Sequence, residues 1–154
     1  MELADILVSD AVRTLSNITS KKRLLQNISE LAADVSGLEQ QSIFDALQER
    51  ELLGATGMGK GIAVPHARMA SVERVVGVFT RIDTPVDFQS VDHQPVDLVF
   101  TLLAPEDAGA DHLKALARVS RTLRDETICR KLRSTTDPAA LFAILTDDTT
   151  SQAA

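Results

Sequence analysis

Between Val96 and Leu103 only Asp97 and Thr101 interrupt an apolar run, so no polar face alternates with a buried one. A strand of that kind needs cover on both sides, which places it inside a sheet lying between layers of helix. Two further runs have strand character, Ile62 to Val64 and Val75 to Ile82. Around them the period changes from strand-like to helical. A helix is predicted over 20–35, with Leu24, Leu25, Ile28, Leu31, Ala32 and Val35 on one face, a Thr19 or Ser20 cap and Gly37 after its end. A second is predicted over 39–52, burying Ile43, Phe44 and Leu47, with Arg50 near its C-terminus. After Pro105 helical spacing returns, and Leu113, Leu116, Ala117 and Leu123 are read as the apolar face, with Arg118, Arg121 and Arg124 on a solvated one. Asp137-Pro138 opens a last helix carrying Leu141, Phe142, Ile144 and Leu145. The order of elements predicts an α/β sandwich.

A chain of 154 residues suits one domain, here expected over 1–146, with 147–154 as a flexible tail. Twenty-two acidic and 16 basic residues give a net charge of −6 without a long basic run, which argues against a nucleic-acid partner. The lone Cys129 excludes an intramolecular disulfide, and Met1-Glu2-Leu3-Ala4-Asp5 has neither the basic flank nor the apolar core of a signal peptide. No apolar run approaches the roughly 20 residues that cross a bilayer. The expectation is a cytoplasmic protein with no direct membrane insertion.

The chemistry concentrates in Gly54-Ala55-Thr56-Gly57-Met58-Gly59-Lys60-Gly61-Ile62-Ala63-Val64-Pro65-His66. Its first seven residues match the start of a nucleotide-binding loop, but Gly61 stands where a Ser or Thr would hold Mg²⁺. A helix also precedes the loop and a β-rich segment follows it, the reverse of what that motif needs. Without a nucleotide, glycines can still bring backbone N–H groups close to an anion, or simply make a turn. Pro65 fixes φ just before His66 and removes a donor, which suits an imidazole held at the end of a strand. A neutral imidazole has one lone pair for attack on phosphorus and one N–H for a backbone acceptor, so it can carry a phosphoryl group.

Gly61-Ile62-Ala63-Val64-Pro65-His66-Ala67, preceded by Glu49-Arg50-Glu51-Leu52-Leu53-Gly54 and followed far downstream by Asp111-His112-Leu113-Lys114-Ala115-Leu116, resembles the IIA phosphocarriers of the bacterial phosphotransferase system. The class is the fructose, mannitol and nitrogen-regulatory one, and the likeness spans roughly residues 3–146. Ala67 departs from the glycine that many members carry there. The resemblance implies a mixed sheet flanked by helices, His66 as the phospho-accepting nucleophile, Arg50 as its charge-stabilising partner and His112 as a second imidazole that bonds the phosphoryl group or orients His66. It also implies an HPr-like phosphocarrier as donor, with Enzyme I and phosphoenolpyruvate upstream. The stand-alone chain looks closer to the nitrogen-regulatory branch, whose members act on targets such as potassium transport components or sensor kinases. A sugar-specific IIA passing phosphate to a IIB component and a protein-binding module without covalent chemistry are the alternatives. His93 is assigned no role. With no ligand spacing among three histidines and one cysteine, neither metal nor other cofactor is expected.

Overall fold

A computed structural model describes residues 1–147; the expected tail beyond Asp147 lies outside the described residues. Two short 3₁₀ turns, Leu3–Asp5 and Ser9–Ala11, lead into strand β1 (Val12–Leu15). Helices α1 (Lys21–Ser36) and α2 (Gln40–Leu53) follow, then β2 (Gly57–Gly59), β3 (Ile62–Ala63), β4 (His66–Met69), β5 (Val76–Val86) and β6 (Val96–Pro105). The chain continues with α3 (Ala110–Arg124), α4 (Glu126–Arg133) and α5 (Pro138–Thr146).

The sheet has the order β1-β5-β6-β3-β2, with β4 also on β6. It is mixed: β1 runs parallel to β5, β3 and β4 run parallel to β6, and β5 runs antiparallel to β6. As its unbroken apolar run requires, β6 is central and nearly every residue on both of its faces is buried. Phe79 and Phe100, directly opposed on β5 and β6, are wholly buried with ring centroids 6.3 Å apart. Burying each ring contributes about 2 kcal/mol through area removed from water.

Helix α1 starts where Ser20 accepts from the Arg23 amide, and it buries Leu24, Leu25, Ile28, Leu31 and Ala32. It packs against α2 and β5, while α2 reaches β4, α3 covers β6 and α5 lies along β1. The α/β sandwich with a central mixed sheet is therefore observed.

Helix α3 departs from the expected orientation. Its buried stripe is His112, Ala115, Val119, Thr122 and Leu123, whereas Leu113 is 63% exposed and Ala117 faces solvent. Both stripes satisfy the helical period, and the greater apolarity of leucine favours the one with Leu113 when only the sequence is read. Arg121 and Arg124 are exposed as expected, but Arg118 is half-buried and paired with Glu2. Strands β1, β2 and β4 and helix α4 were not anticipated, because elements of three to eight residues present too little pattern to see.

Candidate functional site

Strands β3 and β4 behave as one strand broken at Val64-Pro65. On either side of the break they follow β6, Ala63 opposite Val99 and His66 opposite Leu102, and the Pro65 carbonyl accepts from the Leu102 amide at 2.9 Å. The break lets the chain turn the His66 ring back on its own backbone. His66 Nδ1 lies 2.8 Å from the Val64 carbonyl oxygen. A carbonyl only accepts, so Nδ1 carries the proton and Nε2 keeps its lone pair. Pleating sends His66 and Arg68 to one side of β4, while Ala67 and Met69 are buried on the other.

His112 comes from the first turn of α3. Because that helix covers β6, its inward stripe brings His112 over the strand paired with His66, and the two ring centroids are 5.6 Å apart with planes tilted by 52°. His112 is 4% exposed, and its Nδ1 is buried without a hydrogen-bond partner among the described residues. Both imidazoles titrate below the ordinary histidine range. For His66 burial is the main cause, opposed by the bond to Val64 and assisted by the Arg50 charge, with Glu51 acting the other way. For His112 burial again leads, followed by the charges of His66 and Arg68. Near pH 7 both rings are neutral.

Arg50 sits in the last turn of α2, where its Nη1 donates to the Gly54 carbonyl at 2.9 Å. Its neighbour Glu51 turns the opposite way. Glu51 is 8% exposed, pairs with Lys21 at 2.9 Å and accepts from the amide and hydroxyl of Thr56. That network holds the turn after α2 closed, and the same turn presents the Gly54 carbonyl to Arg50. Arg50 is thus aimed at the cleft instead of pairing with Glu49 or Glu51.

His66, His112, Arg50 and Arg68 open onto one cleft of about 490 Å³, whose rim includes Glu49, Leu53 and Glu106. All three sequence-derived site residues are brought together. Arg68 was missed, although its two-residue spacing from His66 on a strand is a readable signal. Glu106 carried no such signal, since its place depends on where β6 ends. His93 lies in the loop before β6 and lines none of this cleft. Among the described residues no cluster of three or more His, Cys, Asp and Glu is assembled to hold a metal.

The glycine loop does not serve His66. Gly57–Gly59 and Ile62–Ala63 form a tight antiparallel hairpin, with Lys60 and Gly61 at its tip, both at positive φ. The Lys60 amide donates to Asp92 at 2.8 Å, and the Gly61 carbonyl accepts from Asp97 and Leu98, at the opposite end of β6 from Leu102. Asp97 and Leu102 are five positions apart on the strand, about 16 Å. A donor already bound to a carboxylate cannot cradle a phosphate that far away. Of the two uses open to these glycines, an anion cradle or a turn, the structure shows the turn.

The family described as the phosphoenolpyruvate-dependent sugar phosphotransferase system, EIIA 2, matches residues 5–148. A nitrogen regulatory protein of Bradyrhizobium diazoefficiens is 46% identical over 145 residues, covering 94% of this chain and 95% of the relative. One from Escherichia coli strain K12 is 43% identical, covering 96% and 91% respectively. Among solved structures, the nitrogen regulatory protein IIA-Ntr of Neisseria meningitidis superposes with a TM-score of 0.86 at 36% identity, over 94% of this chain and 99% of that one.

Proposed function

We propose a histidine phosphocarrier role for this chain, which belongs to the EIIA type 2 family of the phosphoenolpyruvate-dependent sugar phosphotransferase system. The observation that carries the proposal is the His66 ring: neutral, with Nδ1–H bonded to Val64 and Nε2 turned to a cleft that holds two guanidinium groups. The donor is a phosphohistidine on a small HPr-like carrier, itself charged through Enzyme I from phosphoenolpyruvate.

In the transfer, the Nε2 lone pair forms an N–P bond as the donor's N–P bond breaks, and that electron pair returns to the donor ring. No proton has to move. The bond from Nδ1–H to Val64 persists and stabilises the positive charge that builds on the His66 ring. The transferring group passes through a loose transition state with charge on three oxygens, so positioning and electrostatics supply most of the catalysis. Arg50 and Arg68 oppose that charge. His112, with its buried Nδ1 unpartnered, offers its other ring nitrogen to a phosphoryl oxygen.

The same chemistry makes a switch. Phosphorylation replaces a neutral ring by about two negative charges and three strong acceptors. On the rim of the cleft Leu53 is 82% exposed, an apolar side chain suited to a protein partner. We read the protein as a cytoplasmic regulator whose phosphorylation state sets partner binding in nitrogen or potassium homeostasis, with targets such as potassium transport components or sensor kinases. The stand-alone nitrogen regulatory proteins matched along nearly their whole length support this over a sugar-specific role.

Intact-mass spectrometry after incubation with phosphoenolpyruvate, Enzyme I and an HPr-like carrier tests the carrier role. One acid-labile phosphoryl adduct is expected, absent from His66→Ala and present in His112→Gln. No adduct from a demonstrably phosphorylated donor would refute it. Partner capture that is identical for the free and phosphorylated forms would refute the switch while leaving the carrier intact.

A further inference from the structure

At the end of the sheet remote from His66 lies a second cavity of about 540 Å³, which shares no residue with the histidine cleft. Three elements wall it: the β2–β3 hairpin tip, the C-terminal end of α3, and α4. Its floor is apolar, formed by Ile62, Leu123 and Cys129, all buried. Lys60, Arg124, Arg130 and Arg133 surround that floor, against the single carboxylate of Glu126. Such a convergence of cations is out of keeping with a chain of net charge −6.

Two of the four cations are accounted for by structure. Arg133 binds Asp97 through Nε and Nη2 and also donates to the Lys60 carbonyl at 2.8 Å, tying α4 to the hairpin. Lys60 is held at both ends of its backbone, by Asp92 on its N–H and Arg133 on its carbonyl, and its ammonium stands 3.5 Å from Glu126. It does so at φ 58°, a left-handed conformation that a lysine seldom adopts. The side chains of Arg124 and Arg130 make no hydrogen bond or ion pair among the described residues. Favourable placement near the C-terminus of α4 explains Arg130 and Lys131 equally, yet only Arg130 lines the cavity.

We propose that this cavity binds a phosphorylated small molecule with a flat apolar body, of nucleotide size. A cavity of a few hundred cubic ångströms with an apolar floor and a few convergent polar groups is the usual form of a small-ligand site. Guanidinium groups match phosphate oxygens in pairs, and Arg124 and Arg130 have that capacity unused. This is not the nucleotide loop of sequence motifs. The Lys60 amide at the hairpin tip is engaged by Asp92, and the anion is held by side chains from α3, α4 and the Lys60 ammonium.

Titration of ¹⁵N-labelled protein with ADP at low ionic strength, followed by amide shifts, is the test. Saturable shifts centred on Ile62, Leu123 and Cys129 are expected, with pyrophosphate alone binding about tenfold more weakly because it leaves the apolar floor uncovered. Arg124→Ala combined with Arg130→Ala should weaken ADP binding by tenfold or more. Lys131→Ala, on the same helix but outside the cavity, should change it less than twofold. Because His66→Ala removes the phosphocarrier nucleophile and should leave this binding unchanged, the two readings fail independently. The proposal is overturned if ADP shifts no cavity amide, if the shifts lie at the His66 cleft instead, or if Lys131→Ala weakens binding as much as the double variant. Pyrophosphate binding as tightly as ADP would overturn the assigned apolar body.

Discussion

The hairpin tip at Lys60-Gly61 and the imidazole at His66 are separated by a few residues of one strand, yet the chain treats them in opposite ways. At the tip, backbone groups are satisfied by neighbouring side chains, and the glycines admit close contact: a Cβ on Gly57 would stand 2.9 Å from the Ser90 Cβ, and Gly61 takes φ 82° beside Arg133 and Asp97. At His66 the backbone instead satisfies the side chain, through Val64, and leaves Nε2 and two guanidinium groups facing open space. One end has its polar groups used up in holding the fold. The other leaves them uncommitted, as the proposed transfer requires. Proximity in sequence therefore says little about shared function, and what distinguishes the two ends is where each donor and acceptor is already committed.

Changes in the cleft should alter rate and spare stability, and changes at the hairpin should do the reverse. The largest effect is expected from His66→Gln, which removes the proposed nucleophile: phosphoryl acceptance should vanish in a discontinuous assay with labelled phosphoenolpyruvate while the thermal midpoint holds or rises. Arg50→Ala comes next. Losing one preorganised donor to a developing oxyanion typically costs a hundredfold to a thousandfold, about 3–4 kcal/mol of barrier, readable as single-turnover transfer from the phosphorylated donor. Unchanged transfer would mean that Arg50 serves only the Gly54 turn.

Gly57→Ala should cost about 1–3 kcal/mol in urea denaturation, since the added methyl overlaps the Ser90 side chain and approaches its Cα to 3.0 Å. Phosphoryl transfer by the folded variant should stay within twofold. A parallel loss of rate would break the division between the two ends.

The smallest effect is on pH dependence. Both histidines have folded pKa values below the unfolded one. Above about pH 6.5 neither state is protonated there and the rings contribute nothing; as pH falls below that value the unfolded chain binds protons first, so stability declines. His112→Gln should flatten that decline in a pH series of denaturation midpoints. The transfer rate should hold steady from neutral pH down past 6.5, and fall only once His66 itself is charged. Arg50→Ala should move that fall to higher pH, because it removes a charge that opposes protonation of His66.

Much of this arrangement was readable in the sequence. The unbroken apolar character of Val96–Leu103 demanded a doubly covered central strand, and Ser20 marked the start of α1 correctly. Arg50, His66 and His112 were legible because their blocks resemble a family, and they meet in one cleft. What could not be read has physical causes. The tertiary partners of the hairpin tip, Asp92, Asp97 and Arg133, are 32 to 73 residues away in the chain from the groups they bind, so only the fold reveals that the Lys60 amide and the Lys60 and Gly61 carbonyls are occupied. The α3 stripe was ambiguous because alanine and histidine can line a helix's buried face as well as leucine can, and sheet position decides between them.

The most direct test of the central claim is ¹⁵N and ³¹P NMR of the histidine rings after phosphorylation by the HPr-like donor. Phosphorus attached to Nε2 of His66, with Nδ1–H still bonded to a carbonyl, is the expected result. An adduct on Nδ1 of His66 or on His112, or an intact free ring in the presence of phosphorylated donor, would contradict it.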